Sequence, residues 1–115
     1  ALDKENKQPA YLIGRLFGVL EKAQQDAIPG ANTTIKDRFY GSASATPRIV
    51  FPQLLRLAQH HIQKAEYGRT RDKQIEEILC EIKEFPAHLG LDEQGMFAIG
   101  YYHQRQDFFK KNTNN

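Results

Sequence analysis

Residues 9–30 read PAYLIGRLFGVLEKAQQDAIPG, and their spacing decides the fold class. Leu12, Leu16 and Leu20 recur every four residues, and Ile13, Phe17 and Ala23 widen the same stripe. This is the period of an amphipathic helix with one face turned to a core. Pro9 suits a first turn, where its missing N–H is not needed. Ile28-Pro29-Gly30 ends the run near Asp26, because proline cannot continue a helix and glycine tolerates a left-handed cap. Gly14 and Gly18 lie four apart beside the stripe, which would let another helix come close.

Downstream the helical period persists, and no segment alternates with period two over a strand length. Asn32 and Thr33 can cap a second helix carrying Ile35 and Phe39, which gives out in Gly41-Ser42-Ala43-Ser44-Ala45-Thr46. Thr46-Pro47 reads as the cap and first-turn proline of a third helix with Ile49, Val50, Leu54, Leu55, Leu57, Ala58 and Ile62. Pro52 leaves two options there: a kink, or a start near Phe51. Gly68 marks a turn, and a fourth helix is expected from about Arg71 to Phe85, closed by Pro86. Its Ile75, Ile78, Leu79 and Ile82 would face in, with Glu76, Glu77, Glu81 and Glu84 facing out. Asp92 can cap a fifth helix holding Met96, Phe97, Ile99, Tyr102, His103 and Phe108. The expected fold is therefore all-α, a compact bundle of about five helices in one domain over residues 1–115, with 1–8 and 110–115 as frayed ends.

At 115 residues, 40% of them apolar, the chain has material for one modest core and no apolar run of membrane-spanning length. The polar opening, Ala1 to Gln8, is not a secretory signal. Cys80 is the single cysteine, so no internal disulfide can form, and a reducing, cytoplasmic location is expected. Charge is uneven although the net is only +2. Residues 1–75 hold 12 Lys/Arg against 7 Asp/Glu, and residues 76–115 hold 4 against 7. From Lys36 to Lys64 five bases (Lys36, Arg38, Arg48, Arg56, Lys64) face one acid, Asp37. A basic middle on a near-neutral domain is the footprint of a polyanion-binding face.

Enzymatic and metal readings find little support. His60 and His61 are adjacent, so on a helix they point about 100° apart. His88 and His103 bring no HExxH, paired cysteines or acidic cluster with them. GxSxG, P-loop and GxGxxG patterns are absent, and the four glutamates read as a solvated face. The expectation is a non-enzymatic protein with no cofactor, no metal, no membrane contact and no small-molecule substrate.

The basic middle carries more information. At Thr46-Pro47-Arg48 a helix N-terminus lies beside Ser42, Ser44 and Arg48, and free N–H groups, hydroxyls and a guanidinium together suit a phosphate. The competing reading is an ordinary capped helix start. Arg48, Arg56, His60 and Lys64 form one stripe on the third helix, which Arg15 and Lys22 of the first could extend. Such a ladder favours tracking a backbone over reading bases. In Gly100-Tyr101-Tyr102-His103-Gln104-Arg105-Gln106, Tyr102 and His103 are expected to be partly buried, with Tyr101 and Arg105 left for a subunit or a nucleic acid.

Several blocks together resemble a known family. They are Tyr11 to Phe17, Val19 to Glu21, Ile35 to Pro47, Phe51 to Leu57 with Gln59-His60-His61, Phe85 to Leu89, and Gln94 to Gln106. They are similar to the C-terminal part of the large subunit of type I-C CRISPR Cascade, a part also made separately as the small subunit. The resemblance spans roughly residues 9–109 in order, apart from Gly68 to Lys73. A separate small subunit is the expected form, with an excised domain as the other. The resemblance implies a helical subunit on the guide RNA–target DNA heteroduplex and the displaced strand, beside Cascade backbone subunits, the large subunit and further copies of itself. Base pairing would supply specificity, and the protein charge and shape. The alternative is a protein–protein spacer with incidental nucleic-acid contact. A third class, a metal-dependent nuclease using His60, His61 or His103, predicts bound metal and cleavage.

Overall fold

A computed structural model describes the backbone of residues 1–113 and the side chains through residue 110. Five helices follow one another: α1 (Pro9–Ala27), α2 (Ile35–Ala45), α3 (Pro47–Lys64), α4 (Gly68–Leu79) and α5 (Leu91–Thr113). No strand occurs among the described residues, so the all-α expectation holds. Most of the expected C-terminal frayed end, 110–115, lies outside the described side chains. Residues 1–8 form no helix, yet the Asp3 N–H donates to the Tyr11 hydroxyl at 2.9 Å and Lys7 pairs with Glu81 at 3.2 Å.

The α1 stripe makes α1 the central element. It packs against each of the other four helices, most extensively against α5. A glycine on each helix explains the close approach. A Cβ on Gly14 would strike the Phe97 carbonyl, and one on Gly100 would strike the Tyr11 carbonyl. The backbones of α1 and α5 thus pack glycine to carbonyl in both directions. Phe17, fully buried, forms the hub of the core. Its ring meets Tyr40 at 5.6 Å, Tyr101 at 5.7 Å, Phe97 at 6.0 Å and Phe51 at 6.5 Å, mostly edge to face. Such contacts add to the area each ring buries.

Three helices bear on the sequence expectation. Thr34, not Asn32 or Thr33, caps α2: its hydroxyl accepts from the Asp37 N–H while the Asp37 carboxylate accepts from the Thr34 N–H. That helix also runs on through the small-residue stretch, because Ser42 and Ser44 turn their hydroxyls back to the carbonyls of Phe39 and Gly41. Second, α3 starts at Pro47, as Thr46-Pro47 reads, and runs through Pro52 instead of starting near Phe51. Third, α4 begins at Gly68 and ends at Leu79. A Cβ at Gly68 would collide with the Ile62 carbonyl, so the glycine permits the tight α3–α4 turn. Beyond Leu79, Glu81 and Ile82 donate to Ile78 and Leu79, which closes the helix in a turn. The chain then crosses to the α2–α3 junction, where Phe85 stacks on Phe51 with centroids 5.0 Å apart. Packing against that ring outweighs the helical pattern that runs on to Phe85.

Candidate nucleic-acid interface

The inner face of α3 buries Val50, Phe51, Leu54, Ala58 and His61, which turns Arg48, Arg56, His60 and Lys64 outward. From Arg48 to Lys64 this row is about 24 Å long at the α-helical rise. No carboxylate occurs between Arg38 and Ala65. Arg56 and Lys64 form no ion pair; the ion pairs among the described residues join Lys7 to Glu81, and Lys22 and Arg71 to Asp26. On α2, Arg38 is exposed with its guanidinium 5.0 Å from the Phe39 ring centroid. Asp37, the one acid of this region, is committed to the α2 cap. The Thr34 backbone and hydroxyl hydrogen bonds hold its pKa below the usual carboxylate value, with a smaller pull from Lys36.

The proposed phosphate cradle at the start of α3 is filled by the chain itself. The Arg48 N–H donates to the Pro86 carbonyl at 3.1 Å, and its Nε donates to the Phe85 carbonyl at 2.9 Å. The Ile49 N–H turns back to Thr46 at 3.2 Å, and Pro47 has none. Arg48 therefore offers its remaining guanidinium donors, and the Pro86 carbonyl stands in for a side-chain cap, since the Thr46 hydroxyl donates to the Ser42 carbonyl instead. Ser44 is buried and drops out of the interface, because its side of α2 packs inward. Ser42 remains exposed.

Arg15 and Lys22 do not extend the stripe. Arg15 is half-buried between helices and its Nε donates to Gln104 of α5 at 3.2 Å; burial lowers its pKa, though nearby acids and Tyr11 offset part of the effect. Lys22 pairs with Asp26 at 3.2 Å, and Asp26 also accepts from Arg71 of α4 at 2.8 Å. Arg15 thus serves packing between helices, and Lys22 pairs within α1 with the carboxylate that Arg71 reaches from α4. Lys36 faces α5, with Nζ 3.4 Å from the Tyr102 hydroxyl, and Arg105 lies 5.6 Å from the Phe109 ring centroid.

The roles expected of two tyrosines are exchanged. Tyr101 is fully buried and its hydroxyl donates to Glu21 at 2.7 Å, whereas Tyr102 is 46% exposed. Burial, then the Glu21 bond, raises the Tyr101 pKa well above the usual phenol value. Sequence reasoning missed Glu21 itself. Its signal was position: Glu21 lies four after Phe17 and three after Gly18, on the face that meets α5.

The histidines are dispersed. His60 is exposed, His61 is buried, and His103 Nδ1 lies 2.8 Å from the Tyr11 hydroxyl. Among the described residues no three His, Cys, Asp or Glu side chains gather as a metal set. Burial, with smaller contributions from His60 and Lys64, lowers the His61 pKa below 6.5. The fold therefore favours neutral His61, and the unfolded chain takes up the proton more readily. This contribution to stability is complete above pH 6.5 and is lost as pH falls below it. A melting midpoint lower at pH 5.5 than at pH 7.5 is expected, and His61→Leu should shrink that difference.

Among the described residues no helix is long and apolar enough to cross a membrane. Residues 1–109 match the family model described as CRISPR-associated protein (Cas_Csd1). None of the curated proteins matches the chain.

Proposed function

The chain belongs to the Cas_Csd1 family of CRISPR-associated proteins, and from that premise we propose that it is a non-catalytic Cascade subunit of type I-C that holds nucleic acid by its backbone. Its ligands are the guide RNA–target DNA heteroduplex and the displaced strand. Its neighbours are Cascade backbone subunits, the large subunit and further copies of itself. One observation carries this reading: an acid-free outward row, Arg48, Arg56, His60 and Lys64, with Arg38 and Ser42 exposed on α2. A solubilising face normally mixes both signs of charge. This one does not. Single cations spaced along a helix neutralise phosphates without reading bases, and their effect is screened by salt.

The test is target-DNA affinity across a salt series, using complexes reconstituted with the chain or with Arg56→Gln/Lys64→Gln. Both side chains are exposed and unpaired, so folding and assembly should survive, as size-exclusion chromatography would report. The plot of log affinity against log salt is expected to flatten by about 1.4 if both touch a single strand. The displaced strand should become more reactive to a base-modifying reagent. Unchanged affinity, slope and reactivity would sink the proposal. A spacer role is favoured by Ile49, 76% exposed at the head of the same row. In that case Ile49→Ser would impair assembly while the double glutamine variant left strand binding intact.

A further inference from the structure

The exposed face of α5 belongs to no part of the basic row. Ile99, Tyr102, Gln106 and Phe109 point outward along it, with Tyr102 46% and Phe109 58% exposed. No carboxylate occurs between Glu93 and Asp107. Each of the two rings has a cation over it: Lys36 Nζ lies 5.5 Å from the Tyr102 centroid, and the Arg105 guanidinium lies 5.6 Å from that of Phe109. The two rings are seven residues apart, about 10 Å along the helix.

Resting on the nucleic-acid reading above, we propose that this face is a stacking platform for unpaired bases of a single strand, with Tyr102 as its principal ring and Lys36 and Arg105 as its phosphate contacts. An aromatic ring accepts any base on its face, so the contact is tolerant of sequence and adds what a charge row lacks. The Tyr102 ring is already oriented. It meets the buried Tyr101 edge to face at 4.8 Å and touches the Lys36 ammonium with its hydroxyl. Little side-chain freedom is then lost on binding. Lys36 sits on α2, which packs against both α3 and α5, so one strand can pass from the basic row to the rings. A purely protein-facing apolar patch would not need a cation over each ring.

The test compares an oligothymidylate with an abasic phosphodiester strand of the same length, each titrated against the full chain over a salt series. The wild type is expected to bind the base-bearing strand at least about tenfold more tightly, the scale of one base–aromatic stack. Tyr102→Ala should erase that preference and leave abasic affinity and salt slope unchanged. Tyr102→Phe should retain the preference, which controls for folding. Arg56→Gln/Lys64→Gln should do the reverse, flattening the slope for both strands and keeping the preference. Equal wild-type affinity for the two strands, with a normal salt slope, overturns the platform and leaves the backbone reading standing. Loss of complex assembly by Tyr102→Ala with strand binding unchanged also overturns it, in favour of a protein contact. Binding of neither strand would remove both readings.

Discussion

Gly14→Val is expected to destabilise the protein by about 3 kcal/mol, the upper range for forcing new atoms into a packed site. A Cβ at Gly14 meets the Phe97 carbonyl and the Tyr101 backbone nitrogen, and backbone atoms in the middle of α5 cannot swing aside as a flexible side chain could. Relief requires α1 and α5 to move apart, which opens the largest interface in the fold. Gly14→Ala should show the same effect at about 1–3 kcal/mol. Urea unfolding followed by circular dichroism measures both. The control is Gly41→Ala in α2, where nothing lies within 4 Å of the added methyl. There the ordinary helical preference for alanine should stabilise by about 0.5–1 kcal/mol. Opposite signs from one substitution type would establish that close approach, and not helix propensity, sets the requirement at Gly14. Equal effects at the two sites would refute it.

Phe17→Ala should be still more damaging, about 3–5 kcal/mol, with the melting midpoint falling by roughly 10–20 °C. The fully buried Phe17 ring touches aromatic side chains from α2, α3 and α5 at once. Deleting it leaves a cavity bounded by three helices that cannot all close over it. Against a total stability of about 5–15 kcal/mol, this is a large fraction. Phe17→Leu keeps most of the volume and loses chiefly the edge-to-face contacts, so its loss should be clearly smaller. A cost below about 1 kcal/mol for Phe17→Ala would mean that the hub is not central to the fold. Because Phe51 carries both Phe17 and Phe85, the alanine variant should also loosen the segment that holds the start of α3.

The helices were legible wherever local period and burial agree. In α1 the leucine stripe, the flanking glycines and the Pro-Gly ending all gave the same answer, and the structure follows it to within a residue at the C-terminal end. Failures came where a distant partner decides. Nothing local to Ile82 or Phe85 reveals that Phe51 offers a stacking surface, so the expected end of α4 lies six residues past the observed one. The small-residue stretch in which α2 is expected to give out stays helical to Ala45, and the serine back-bonding to helix carbonyls there is invisible without the fold. At the candidate site, charge and helical period placed Arg56, His60 and Lys64 outward correctly. Neither could show that Arg15 bonds across to α5, that Lys22 pairs within α1 with Asp26, or that Pro86 and Phe85 occupy two donors of Arg48. Tyr101 and Tyr102 were exchanged for a subtler reason. Adjacent aromatic residues have the same apolarity, and position separates them: Tyr101 lies four after Phe97 and seven before Phe108 on the buried face of α5, where Glu21 accepts its hydroxyl.

The glycine contact between α1 and α5 also bears on the order in which the chain can become itself during synthesis. Gly14 and Gly100, the two ends of that contact, stand 86 positions apart. At a translation rate of about 5–20 residues per second, the apolar face of α1 waits roughly 4–17 seconds for the helix that covers it. Within that interval α2, α3 and α4 can gather on other sides of α1, but its broadest face remains open on the ribosome. A nascent-chain chaperone, or a neighbouring apolar helix from another chain, has its opportunity there, before the last helix arrives.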